Sequence, residues 1–375
     1  MQPIKPPVRH LMGPGPSPAE PSVLAAMSRP VIGHLDPQFI GIMDDLAAGL
    51  RQVFRTENRM TFPVSGTGSA GMEAAVHNVL GPGDRFVAGV NGVFGGRLAE
   101  AARRAGAEVT LVSAPWGKPV PTEDLAAVVR RTAPKAVGVV HAETSTGVRQ
   151  PVEELREAIG EEPLLIVDTV TSLAGIPVEV DGWGIDVAFS GTQKCLSVPP
   201  GLAPITFSDR AVDAALDRPE PARSWYFDLG LLAGYWKDGS QSRAYHHTAP
   251  ISMVYALHEG VRLVLAEGLE ARWRRHEDAG RFLVSGLEEL GFEPVADAPY
   301  RLPQLSALRL PGGHDEAALR ASLLHDHGIE VGAGLGEFAG KVWRVGLMGA
   351  AARKDHALRL IQATAAVMAE SGRSA

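Results

Sequence analysis

Between residues 60 and about 210, short apolar runs alternate with stretches whose apolar positions recur every three or four residues. Arg85–Val90 and Glu108–Ser113 read as strands, with a helix over Phe94–Gly106 between them. Thr122–Thr132 has helical spacing and a polar start. Ala136–His141 and Leu164–Asp168 are almost continuously apolar and flank a helix over Val152–Gly160, and Ile185–Phe189 is a further strand-like run. Strands apolar at every position are covered on both faces, and their alternation with helices implies crossovers and a largely parallel sheet. The pattern predicts an α/β domain over residues 21–255.

Beyond residue 250 the texture changes. Ser252–Glu267 and Leu269–Leu290 read as long helices, followed by strands at Gln304–Leu310, Glu330–Val331 and Val342–Val345. Further helices fall near Glu316–His327 and Lys354–Ala369. A smaller α+β domain over 256–375 is expected, which suits a chain of 375 residues, too long for one core. Residues 1–20, rich in proline and glycine, read as an extended arm.

The formal net charge of −7 argues against nucleic acid or an anionic membrane surface as the main partner. No apolar run approaches the ~20 residues that span a bilayer. Prolines in MQPIKPPVRHLMGPGPSP occupy the place of a secretory apolar core. Cys195 is the sole cysteine, which points to a reducing, cytoplasmic setting. No Cys/His signature surrounds it.

Three stretches carry candidate chemistry. In SGTQKCLSVPPG, Lys194 follows a strand and small polar residues rather than lying on a charged helix face. A partly desolvated amine loses some preference for its charged form and can act as a nucleophile. SGTGSAG, residues 65–71, turns into a helix over Ser69–Leu80; its start offers unpaired N–H groups, with Thr67 and Ser69 adding hydroxyls. That turn reads as a monophosphate cradle, as a plain cap, or as the dinucleotide fingerprint through Gly66, Gly68 and Gly71. The dinucleotide reading lacks a good central strand, because Pro63 interrupts the run before it, and it lacks the later acidic residue. Lastly, LLIVDTVTSLAG ends an apolar strand on Asp168, where a carboxylate caps a helix, orders a loop or holds a cation. A phosphate cradle, a strand-end carboxylate and a lysine are what pyridoxal 5'-phosphate wants.

The motifs SGTGSAGMEAAV, NGVFGGR, HAETSTGV, VDTVTSLAG, SGTQKCLSVPPG, YHHTAP and RVG follow in that order, within a stretch that runs from MGPGPSP to WRVGLMG and covers nearly the whole chain. Together they resemble the class V, fold-type I pyridoxal-phosphate aminotransferases, of the alanine–glyoxylate and serine–glyoxylate/pyruvate branch. The resemblance implies a seven-stranded-type sheet and a ping-pong transaminase acting on small amino and 2-oxo acids. It makes Lys194 the Schiff-base lysine and proton carrier, and Asp168 the partner of the pyridinium nitrogen. Thr67, Gly68, Ser69 and Gln193 fall on the phosphate side, and Thr144 near the ring's phenolic oxygen. Phe94 stacks on the ring where this branch often has tryptophan; Ser69 stands where relatives carry histidine. Arg344 grips the substrate carboxylate, and the Gly13–Gly15 arm, with Gly15, lends backbone donors. Tyr245 and Thr248 reach the other subunit's site in a homodimer. His246 and His247 read as packing at that boundary rather than as metal ligands. Ureidoglycine–glyoxylate or 2-aminoethylphosphonate transamination is the alternative within the family; a nicotinamide-dependent oxidoreductase is the alternative outside it.

Overall fold

The computed structural model describes residues 1–236 and 243–371. Seven strands form the large sheet: β1 (Met60–Ser65), β2 (Arg85–Val90), β3 (Glu108–Ser113), β4 (Ala136–Val140), β5 (Leu164–Asp168), β6 (Val187–Phe189) and β7 (Leu202–Phe207), in the order β1-β7-β6-β5-β4-β2-β3. Strands β2 to β6 pair in parallel. Every residue of β4 and β5 is buried, as two-sided cover demands. β7 runs antiparallel to both β6 and β1. The connection over residues 190–201 contains no helix, so the chain has no crossover with which to return in parallel. Pro63 is accommodated because β1 lies at the sheet edge, where a missing N–H costs no ladder bond.

Helix Pro37–Phe54 lies outside the region where the sequence pattern is clearest. Asp36 caps it by accepting from Gln38 N–H at 2.8 Å, and Arg55 ends it in the left-handed region. Phe39, Met43, Leu46 and Leu50 fill its buried face.

A second, antiparallel sheet contains β8 (Glu293–Pro294), β9 (Leu305–Arg309), β10 (Gly332–Ala333) and β11 (Val342–Gly346), in the order β8-β9-β11-β10. One apolar cluster runs from Val23 to Leu269, and another joins Met12 to residues between Ala279 and Val367. The strand expected at Glu330–Val331 divides: Ile329–Glu330 pairs in parallel with His10–Leu11, while Gly332–Ala333 joins β11. The amino-terminal segment is thereby seated on the smaller sheet, with Gly346 N–H donating to Met12 O at 2.8 Å. Among the described residues no helix is long and apolar enough to cross a membrane.

Candidate active site

Two successive antiparallel pairings cancel, so β1 points the same way as β5 and β6. Helix Gly68–Val79, which follows β1, therefore starts at the sheet edge where Asp168 ends β5 and where residues 190–194 leave β6. Contact is close there: a Cβ on Gly68 would lie 2.9 Å from Val170 and 3.7 Å from Ser190 O. The glycine loop follows an edge strand with an antiparallel neighbour, unlike the buried parallel strand of a dinucleotide fold.

Thr67 is the N-cap of this helix, yet its hydroxyl makes no capping bond, and both Thr67 and Ser69 are exposed. Gly66 adopts φ +143°, a conformation glycine tolerates, and donates to Gly201 O at 2.9 Å. The Oε1 atom of Gln193 is buried without a partner among the described residues.

Asp168 is buried and accepts from Val170 N–H at 2.8 Å. Desolvation raises its carboxyl to about 7, with the charge of Glu143 adding to the rise and Lys194 opposing it. Lys194 moves the other way, to about 8, mainly through burial and secondarily through the Arg344 charge. Its amine donates to the carbonyl of Pro14. Ser17 flanks the same turn, donating through its hydroxyl to Lys194 O at 2.6 Å and through its N–H to Gln193 O at 2.8 Å. Arg344 on β11 is buried, and its Nε donates to Ala333 O at 2.7 Å.

Phe94 lies in the first turn of helix Val93–Ala105, with the Arg97 guanidinium 4.9 Å from its ring centroid. Thr144 is buried just past β4. Beside it lies Glu143, a fully buried carboxylate to which the sequence reading gives no role. An acidic residue three positions beyond the end of an all-apolar strand is the signal that points to it. Val170 is likewise missed, although it stands two residues beyond Asp168 and packs on Gly68 and Gly191.

Tyr245 and Thr248 are not drawn into this cluster's interior but stand exposed. Tyr245 packs on the ring of His34 at 5.0 Å, and His246 stacks on Trp225 at 4.5 Å. His246 Nδ1 lies 2.8 Å from His247 Nδ1, and His247 Nε2 lies 3.0 Å from Ser65 Oγ at the end of β1.

The family model for class-V aminotransferases matches residues 14–351. The chain belongs to that family. An alanine–glyoxylate aminotransferase from Nostoc sp. superposes with a TM-score of 0.94 at 47% identity, over 98% of this chain and 97% of that one. A ureidoglycine–glyoxylate aminotransferase structure from Bacillus subtilis gives a TM-score of 0.96 at 41% identity, over 99% and 95%. Among curated sequences, the alanine–glyoxylate aminotransferase of Oryctolagus cuniculus is 38% identical over 96% of this chain and 93% of its own length. Class-V aminotransferases work with pyridoxal 5'-phosphate, and this one has groups that fit it. The uncapped helix start suits a phosphate, the buried Asp168 carboxyl suits a ring N–H, and Lys194 supplies an amine of lowered basicity.

Proposed function

We propose that this aminotransferase moves an amino group from a small amino acid, alanine or serine, to glyoxylate or pyruvate, by ping-pong kinetics. The observation carrying this reading is the meeting of Asp168, Lys194 and the Gly68 helix start at one sheet edge. When bound, pyridoxal 5'-phosphate supplies a carrier for the amino group and a sink for the electron pair left at the substrate Cα. The amide groups of Gly68 and Ser69, with the Thr67 hydroxyl and Gln193, hold the phosphate. Asp168 accepts the ring N–H. Phe94 covers one ring face and Thr144 donates near the phenolic oxygen. Lys194 Nζ takes the proton from the substrate Cα and would pass it to C4′ of the cofactor, a task suited to an amine near neutrality. Arg344 binds the substrate carboxylate through its planar fork, and the Gly13–Gly15 arm borders a pocket with little side-chain room.

The functional unit of this reading is an isologous homodimer in which Tyr245 and Thr248 complete the neighbouring phosphate site. Its support is the exposure of Tyr245, Trp225 and Tyr226, large rings a lone chain would leave in water. A cytoplasmic location is in keeping with the single buried cysteine. Ureidoglycine is the second donor to test, because a relative named for it matches nearly the whole chain at 41% identity.

Borohydride treatment of the holoenzyme and peptide mapping test the first point: the pyridoxyl label belongs on Lys194, and a label on any other lysine refutes the assignment. Rates with alanine, serine, ureidoglycine and 2-aminoethylphosphonate against glyoxylate and pyruvate then decide the donor and acceptor. Gel filtration of a fully active single-chain species would overturn the dimer.

A further inference from the structure

Helix Val93–Ala105 starts without a cap of its own, because its N-cap residue is Gly92. Three consecutive amides in its first turn are satisfied from elsewhere. Val93 N–H donates to Ser145 Oγ at 2.9 Å, while Phe94 and Gly95 N–H both donate to Glu143 Oε2, at 3.0 and 3.1 Å. The other carboxylate oxygen, Oε1, accepts from Ser145 N–H at 3.0 Å and from the Ser145 hydroxyl at 2.6 Å. Glu143 and Ser145 are fully buried, and a Cβ on Gly92 would come within 2.5 Å of the Glu143 carboxyl carbon. Glycine at position 92 is therefore what lets Glu143 reach the helix.

A serine or asparagine at position 92 would cap this helix locally and burden the core with no charge. The chain instead brings a carboxylate from 49 residues beyond Phe94. Burial pushes that carboxyl upward, while the four donors and the positive helix end favour its ionised form. What the long-range cap achieves, and a local one would not, is a fixed register between two chain segments. One segment carries Phe94; the other carries Thr144, which sits between Glu143 and Ser145.

We propose that Glu143, with Ser145, is a positioning residue that fixes the Phe94 ring against the cofactor plane by capping the helix that bears it. The inference rests on the reading of Phe94 as the stacking residue, and a double-mutant cycle separates the two. Parent, F94A, E143A and F94A/E143A holoenzymes are compared by pyridoxal 5'-phosphate affinity and by visible circular dichroism of the bound cofactor, with thermal melting of each apoenzyme alongside. E143A is expected to weaken cofactor binding about tenfold and alter the dichroism, yet by less than about twofold when Phe94 is already gone. E143Q, which keeps one acceptor for the Phe94 and Gly95 amides, is expected to retain most of the parent affinity; S145A, which leaves the Val93 amide uncapped and removes a donor to Glu143 Oε1, is expected to weaken binding and carries the cycle if E143A does not fold.

Equal losses from E143A with and without Phe94 would overturn the inference, as would unchanged affinity and dichroism in E143A. An F94A enzyme indistinguishable from the parent would refute the stacking reading itself. F94A impaired alongside an inert or additive E143A leaves that reading intact and removes only the role of Glu143.

Discussion

Arg344 Nε donates to Ala333 O at 2.7 Å, joining β11 to the edge strand β10. That bond uses the guanidinium's inner nitrogen, and the two outer nitrogens have no protein acceptor among the described residues. Replacing Arg344 with alanine is expected to raise KM for 2-oxo acids about 100-fold, the worth of a charge-assisted pair of hydrogen bonds. R344K should recover little, since an ammonium cannot bond Ala333 and a carboxylate in the same fork geometry. Steady-state kinetics with varied glyoxylate check this, and the visible spectrum of the holoenzyme should stay unchanged.

The burial of Asp168 makes the cofactor-free chain sensitive to pH. Folded, the carboxyl holds its proton to about pH 7; unfolded, it releases it near 3.8. The folded chain binds more protons across that window, so this contribution to stability is complete below about pH 4 and lost as pH rises through 7. Asparagine has similar volume and does not ionise. The D168N apoenzyme should melt above the parent apoenzyme at pH 8, and the two melting curves should converge toward pH 4. In the holoenzyme the same substitution should lower kcat by about a thousandfold, because a neutral amide stabilises a ring charge poorly.

Gly15 stands at φ +115°, and a Cβ there would lie 2.6 Å from Lys194 Nζ. G15A therefore strains the backbone and pushes the amine off its seat at Pro14. An activity loss of about tenfold or more, with a lowered melting temperature, is expected. Parent-like kcat in G15A would mean that the segment gives way without disturbing the lysine.

Cys195 is fully buried, and desolvation raises its thiol to about 12. Its Sγ donates to Thr171 O at 3.3 Å. The thiolate is the reactive form, so thiol titration should register nothing in the native protein and one group after denaturation. C195S should keep turnover.

Much of the seven-stranded sheet and its helices was readable from periodicity. Glu108–Ser113, Thr122–Thr132 and Leu164–Asp168 have the expected bounds, because strong apolar runs and clear polar starts leave little freedom. The pairing direction of β7 was not readable: nothing in LAPITF says which way it runs, and only the helix-free connection before it decides. Asp168 stands out as a charge ending an apolar strand, and Lys194 as a lone charge among small polar residues beyond one. Glu143, three residues past an apolar strand, carries a weaker form of that signal, and its partners are backbone amides of a distant helix, which no side-chain pattern announces.

The seating of residues 10–17 has a consequence for how the protein is made. His10–Leu11 pairs with Ile329–Glu330, Met12 O bonds to Gly346, and Ser17 buttresses the lysine turn. Residues 10–17 thus leave a ribosome long before the strands on which they are seated. Their docking must wait for the emergence of strand β11.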